Sequence, residues 1–176
     1  IHPNETETLI TLGDKFRLVR VGELWRVLNL PPHAAPSASQ STATFTDREG
    51  RMMELLGYSI YPATTLHPGD FGLLTLFWRT PQPVSTRFTI SLRVVDEQDR
   101  VLYQRDMEPA NGLLPTIGWL PNEIVQDDAG FFVPPDAAPG AYRLVIVVYD
   151  AARGEELATG SDTFSLAVCN IQVVGR

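Results

Sequence analysis

Phe88-Thr89-Ile90-Ser91-Leu92-Arg93-Val94 alternates without a break. Phe88, Ile90, Leu92 and Val94 fall on one face of an extended chain, and Thr89, Ser91 and Arg93 on the other. A period of two over this length is the pattern of a half-buried β-strand. Working outward, the same period recurs. In Leu73 to Arg79, Leu74, Leu76 and Trp78 share a face. Tyr142, Leu144, Ile146 and Val148 form a third row. Val145 and Val147 make that segment apolar on both faces, which predicts a central strand. Phe164, Leu166 and Val168 form a fourth row. Its phase slips near Cys169-Asn170 before Ile171 and Val173 resume, which predicts a β-bulge.

Turn residues punctuate the rows. His67-Pro68-Gly69-Asp70 precedes the second, and Asp96-Glu97-Gln98-Asp99 joins Val94 to Val101 as a hairpin loop. Pro134-Pro135-Asp136 and Pro139-Gly140 precede Tyr142, and Ala152-Arg153-Gly154 follows Asp150. After residue 50 no segment carries a helical period. Short strands separated by Gly/Pro turns predict an all-β chain, an immunoglobulin-like antiparallel β-sandwich of about seven to nine strands.

The organisation before residue 45 differs. Lys15 to Leu28 is read as one or two strands, although Leu18, Val21, Trp25 and Leu28 would also fit a helix. Residues 1–30 are therefore assigned to N-terminal strands, or to the end of a preceding similar domain. That second option draws on an echo between Asp14-Lys15-Phe16-Arg17-Leu18 and Asp162-Thr163-Phe164-Ser165-Leu166. Residues 31–44, rich in Pro, Ala and Ser, read as a linker. Residues 45–176 are the sandwich. The chain opens on Ile1 in mid-pattern and is read as a piece of a longer protein.

A chain of 176 residues buries roughly 70% of its unfolded surface and folds without a disulfide or metal staple. Cys169 is the sole cysteine, so no intrachain disulfide or cysteine-based zinc site can form. The net charge of −7 repels nucleic-acid phosphates and anionic lipid headgroups alike, so neither nucleic-acid binding nor direct membrane insertion by this fragment is expected. No apolar run reaches the roughly 18 residues of a membrane-spanning helix.

Asp136-Ala137-Ala138-Pro139-Gly140-Ala141-Tyr142 places an acidic residue and a tight turn before a tyrosine that opens an apolar strand. This is the arrangement of a tyrosine corner, in which the hydroxyl bonds back to nearby backbone. Trp78 belongs to the core by its alternation. Trp119, in the long connection Pro115 to Glu123, either plugs one end of the sandwich or offers a stacking platform to a sugar ring. The carbohydrate alternative would use Trp119 and Tyr103, with Asn111, Asn122 and Asp127 as polar partners.

Acidic residues cluster at Asp96, Glu97 and Asp99 and at Asp127 and Asp128, without the spacing of a calcium loop. Asp127 and Asp128 are neighbours on a strand and point to opposite faces, so they cannot act as an acid–base pair. His2, His33 and His67 form no metal motif, and no nucleophile elbow or phosphate-cradling loop is present. The expectation is a domain without catalytic residues, cofactor or metal.

Several segments taken in order resemble a known domain type. They are Leu55-Leu56-Gly57-Tyr58, Pro68-Gly69-Asp70, Leu74-Thr75-Leu76-Phe77-Trp78-Arg79, Val94-Val95-Asp96, Pro115-Thr116 with Trp119-Leu120-Pro121-Asn122-Glu123, and Pro139-Gly140-Ala141-Tyr142 with Tyr149-Asp150. Residues 45–174 resemble the extracytoplasmic β-sandwich tail domains of bacterial polytopic membrane proteins, some glycosyltransferase-like, of Chloroflexi type. Where that family often has Pro-Gly-Glu after the Trp, this chain has Pro121-Asn122-Glu123, and Asn also tolerates the positive φ such a turn requires. The resemblance implies an accessory domain at the periplasm or cell surface, tethered through a segment outside these residues, with the parent membrane protein or its associates as partners. It carries no catalytic residues. A non-catalytic accessory or interaction domain is the expected function, with a carbohydrate-binding module as the alternative.

Overall fold

The computed structural model describes residues 16–21, 24–29, 42–161 and 163–175, the first two segments by their backbone alone. Those two segments are strands β1 (Phe16–Val21) and β2 (Leu24–Asn29), an antiparallel pair running from Phe16 opposite Asn29 to Val21 opposite Leu24. Strand, not helix, is the outcome for this stretch. Positions 30–41, which hold most of the expected linker and His33, lie outside the described residues, as do His2 and Asp162 of the sequence echo.

Two sheets follow. One has the order β3 (Ala43–Thr46), β4 (Met52–Tyr61), β6 (Phe71–Arg79), β9 (Val125–Phe132), all antiparallel. The other has the order β5 (Thr65–Leu66), β12 (Leu166–Val173), β10 (Gly140–Asp150), β7 (Phe88–Val95), β8 (Val101–Met107), with β11 (Glu155–Glu156) added to β10. Only β5 and β12 run parallel within it. The chain is thus an all-β, immunoglobulin-like sandwich. Its two sheets hold eight strands of four residues or more and two of two residues among the described residues.

The inward rows of both sheets meet in one core of buried side chains, including Phe45, Leu74, Leu76, Trp78, Phe88, Leu92, Phe131, Leu144 and Ile146. Phe45 and Trp78 pack at 5.7 Å between ring centroids. Phe88, Ile90, Leu92 and Val94 all face this core. Thr89 and Ser91 are buried as well, so β7 is closed on both sides and not half-buried. Arg93 folds back to donate from Nε to Ser91 Oγ at 3.1 Å, which helps cover that outer face.

Strand β10 lies between β7 and β12, the central place that Val145 and Val147 predict. The ladder between β10 and β12 slips between Leu144 and Val145, leaving Val168 as the extra residue. The bulge therefore falls next to the expected Cys169-Asn170, and Val168 and Cys169 are buried in succession. One expectation fails. Phe164 precedes β12 and is exposed. Its place opposite Val148 is taken, because Leu157 N donates to the Val148 carbonyl at 2.8 Å.

The turns are built by their own side chains. Asp96 Oδ1 accepts from Gln98 N and Arg100 N, both at 2.9 Å. Asp99 pairs with Arg143. Tyr142 is buried and its hydroxyl donates to the Ala138 carbonyl at 2.7 Å, which is the tyrosine corner.

Candidate functional site

Strands β8 and β9 are edges of different sheets, and residues 108–124 carry the chain from one to the other. This connection gathers four of the five residues singled out for ligand contact, or their hydrogen-bond partners.

It begins with a 3-10 turn, Pro109–Gly112, in which Ala110 (φ 51°), Asn111 (φ 58°) and Gly112 (φ 83°) are all left-handed. Glycine adopts this region freely and asparagine tolerates it, but for alanine it costs about 1–2 kcal/mol. Two buried groups hold the turn. Asp127, on the inward row of β9 and 2% exposed, accepts from Ala110 N at 2.8 Å. Arg105, buried on β8, donates to Asn111 Oδ1. The Asp127 carboxyl is raised to about 6: burial pushes it up, the Arg105 guanidinium and the Ala110 N–H offset part of the rise, and the Asp128 charge adds to it. Asp128 points outward, where its Oδ1 accepts from Thr75 Oγ1 at 2.8 Å and Gln126 Nε2 at 2.9 Å.

The next half of the connection is pinned from below. Thr116 is fully buried. Its Oγ1 accepts from Phe88 N at 3.0 Å and donates to the Thr86 carbonyl at 2.6 Å. Trp119 is 6% exposed, and its Nε1 donates to the Leu114 carbonyl at 2.9 Å. Asn122 is left-handed (φ 64°), and its N–H donates to the Thr80 carbonyl at 2.8 Å. Glu123 N donates to the Leu120 carbonyl, and Leu120 N donates back to Glu123 Oε2 at 3.2 Å.

Above this scaffold five aliphatic side chains stand in solvent: Leu113, Leu114, Ile117, Leu120 and Ile124, with Leu120 the most open at 67%. Between Pro109 and Ile124 the only charged residue is Glu123. Backbone bonds also close Leu113 N on Ala110 O, Leu114 N on Pro109 O, Gly118 N on Pro115 O and Trp119 N on Thr116 O. The connection is a hydrogen-bonded platform whose amides are largely satisfied from within and whose exposed side chains, Asn122 and Glu123 apart, are apolar.

Each residue expected to contact a sugar also has a place in this scaffold. Trp119 lies beneath the platform. Tyr103 is half-buried in β8, and its hydroxyl reaches the Gly130 carbonyl of β9 at 3.4 Å. Asn111 and Asp127 hold the first turn and Asn122 shapes the last. Among the described residues these two aromatic rings do not form an exposed coplanar pair. The five exposed aliphatics were not singled out by sequence. The signal was Leu113-Leu114-Pro115-Thr116-Ile117-Gly118-Trp119-Leu120-Pro121, an uncharged apolar stretch broken by Pro and Gly.

A second surface feature is a shallow trough of about 340 Å³ over β10 and β12, edged by Thr64, Glu97, Arg143, Asn170 and Gln172. Its Arg143 is engaged by Asp99, and the other four are solvent-exposed, so nothing there is built for a particular ligand.

No protein-family model matches the chain, and no curated protein matches it. Solved structures do. The C-terminal domain of wzt superposes with a TM-score of 0.47 and 11% identity, over 79% of this chain and 80% of that one. The CARDB domain of a Pyrococcus furiosus protein, in complex with di-metal ions, gives 0.42 and 11%, over 74% of this chain and 100% of that one. At that identity and overlap neither neighbour's role transfers to this chain.

Proposed function

We propose that this sandwich is a non-catalytic interaction domain that makes its contact through the apolar platform of residues 113–124. The observation that carries the reading is the combination of exposure and rigidity. The five aliphatics together leave solvent-exposed the equivalent of roughly three whole side chains, worth about 4–8 kcal/mol if covered. A flexible loop would fold such residues inward. Here the Trp119, Thr116 and Asp127 hydrogen bonds hold the backbone so that they stay outside. Exposed apolar side chains gathered in one short connection are a mark of interaction sites. The extracytoplasmic placement, and a tether to a membrane protein through a segment outside this chain, rest on the resemblance of residues 45–174 described above.

The test is a photo-crosslinking amino acid at Leu120 in the intact parent protein, with a second at exposed Glu156 as control. A discrete adduct from position 120 and none from 156 is expected. Equal or absent crosslinking at both positions overturns the proposal. The carbohydrate alternative has less support, because Trp119 is only 6% exposed and offers little of its ring to a sugar.

A further inference from the structure

We propose that the occupant of the platform is an electrically neutral lipid surface, with Leu113, Leu114, Ile117, Leu120 and Ile124 dipping into the headgroup–acyl boundary. This rests on the interaction reading above and names the partner of the same site.

Area is the first argument. The exposed part of the five side chains amounts to roughly 400 Å², short of the ~800 Å² that each partner buries in a standard protein interface. A second copy of the chain, or a protein partner, would have to draw the remainder from the polar surface around them. A lipid interface sets no minimum area. Composition is the second. Protein hot spots are enriched in Trp, Tyr and Arg and poor in Leu. The platform exposes Leu and Ile, while its one aromatic, Trp119, faces inward. Backbone satisfaction is the third. Chain entering an apolar medium must close its own amides. Of the five inserting residues, Leu113, Leu114 and Leu120 donate their amides to groups of the protein, as do Gly118, Trp119, Asn122 and Glu123 beside them.

Charge selects the kind of lipid. The platform has no Lys or Arg, and Glu123 is its only charge. Nearby Glu108 is matched by Arg87 at 2.8 Å. With −7 on the whole chain, anionic headgroups are repelled and a zwitterionic surface is not. A patch this small gives weak partitioning, enough to orient a domain already held near a membrane.

The test is co-sedimentation of the full chain with phosphatidylcholine vesicles at up to about 10 mM lipid, with phosphatidylglycerol vesicles in parallel. A substantial pelleted fraction with phosphatidylcholine is expected, unchanged by salt and smaller with phosphatidylglycerol. Leu120→Asp with Ile124→Asp should lower the partition coefficient at least tenfold. Both positions are exposed, so the urea midpoint should hold and show that the fold is intact. No pelleting by phosphatidylcholine, pelleting indifferent to the double substitution, or stronger salt-sensitive binding to phosphatidylglycerol would each overturn the lipid proposal. A protein adduct from the Leu120 crosslinker without lipid partitioning would retain the interaction domain and remove the lipid. Neither adduct nor partitioning would remove both.

Discussion

Gly72 faces Phe131 directly across the β6–β9 ladder. A Cβ built on Gly72 would stand 2.2 Å from Phe131 Cζ, 2.5 Å from Cε1 and 2.8 Å from Cε2. Ordinary carbon contacts lie near ~3.5–4 Å, so the ring would have to retreat by more than about 1 Å. Phe131 is fully buried and has little room to do so. Gly72 is not left-handed, which makes the cost of Gly72→Ala steric and not conformational. Overpacking of this kind costs about 1–3 kcal/mol, and a less flexible unfolded chain returns about 0.4–1 kcal/mol. The expected net loss is about 1–2 kcal/mol, read from the urea midpoint at constant m. Phe131→Leu withdraws the end of the ring and should itself cost about 1–2 kcal/mol. In the double variant the added methyl fills the vacated space, so the two losses should fall short of their sum by at least ~1 kcal/mol. Gly72→Ala within about 0.5 kcal/mol of the parent, or strict additivity with Phe131→Leu, would refute the packing account.

Asp127 has a folded-state value raised from 3.8 to about 6, so the native state holds this proton more tightly than the unfolded chain. Its contribution is fully present below the unfolded value and is lost as pH rises through about 6, a fall of roughly 2–3 kcal/mol. Urea midpoints should therefore decline from pH 4.5 to pH 7.5, and Asp127→Asn should flatten that slope; an unchanged slope would refute the assignment. Asp47 acts oppositely, and only near pH 4 and below. Burial raises its carboxyl, but hydrogen bonds from Arg51 and Glu49 hold it below the usual value. Tyr142→Phe should cost about 1 kcal/mol by removing the bond to Ala138 O, with no change in m. Thr116→Val leaves both Phe88 N and the Thr86 carbonyl without their partner and should cost about 2–3 kcal/mol, whereas Thr116→Ser should recover most of it.

The inward rows were legible because a sheet between two neighbours imposes strict alternation. Phe88 to Val94 and Tyr142 to Val148 sit in the middle of their sheet, and nothing local competes with the period. The tyrosine corner was legible because all its parts lie within five residues of one another. Phe164 was misread for a non-local reason. Its apolar phase fits β12, but β11 and Leu157 reach β10 first, and that competition is invisible along the sequence. The platform was hidden for the opposite reason. Apolar residues are expected inside, so Leu113, Ile117 and Leu120 in a connection carry no periodic sign that they face out. Trp119 drew attention by size, yet its indole N–H is spent on Leu114 O. The left-handed Ala110 could not be anticipated, since alanine is a poor choice there and only the tertiary bonds to Asp127 make it tenable.

That last point bears on why a carboxylate occupies the inward row of β9 at all. Val125, Ala129 and Phe131 fill the same row with apolar atoms, and an apolar residue at 127 would spare the cost of burying a charge. Such a residue could not accept the Ala110 N–H, and the left-handed turn would relax toward an ordinary one. Leu113 and Leu114 follow that turn immediately, so their outward direction depends on it. Arg105 offsets part of the buried charge while fixing Asn111 from the other sheet, so the same pair ties edge strand β8 to edge strand β9. The stability given up at Asp127 thus accompanies a fixed direction for the apolar side chains. This links the left-handed turn at Ala110 to Leu113 and Leu114, two of the five exposed aliphatics.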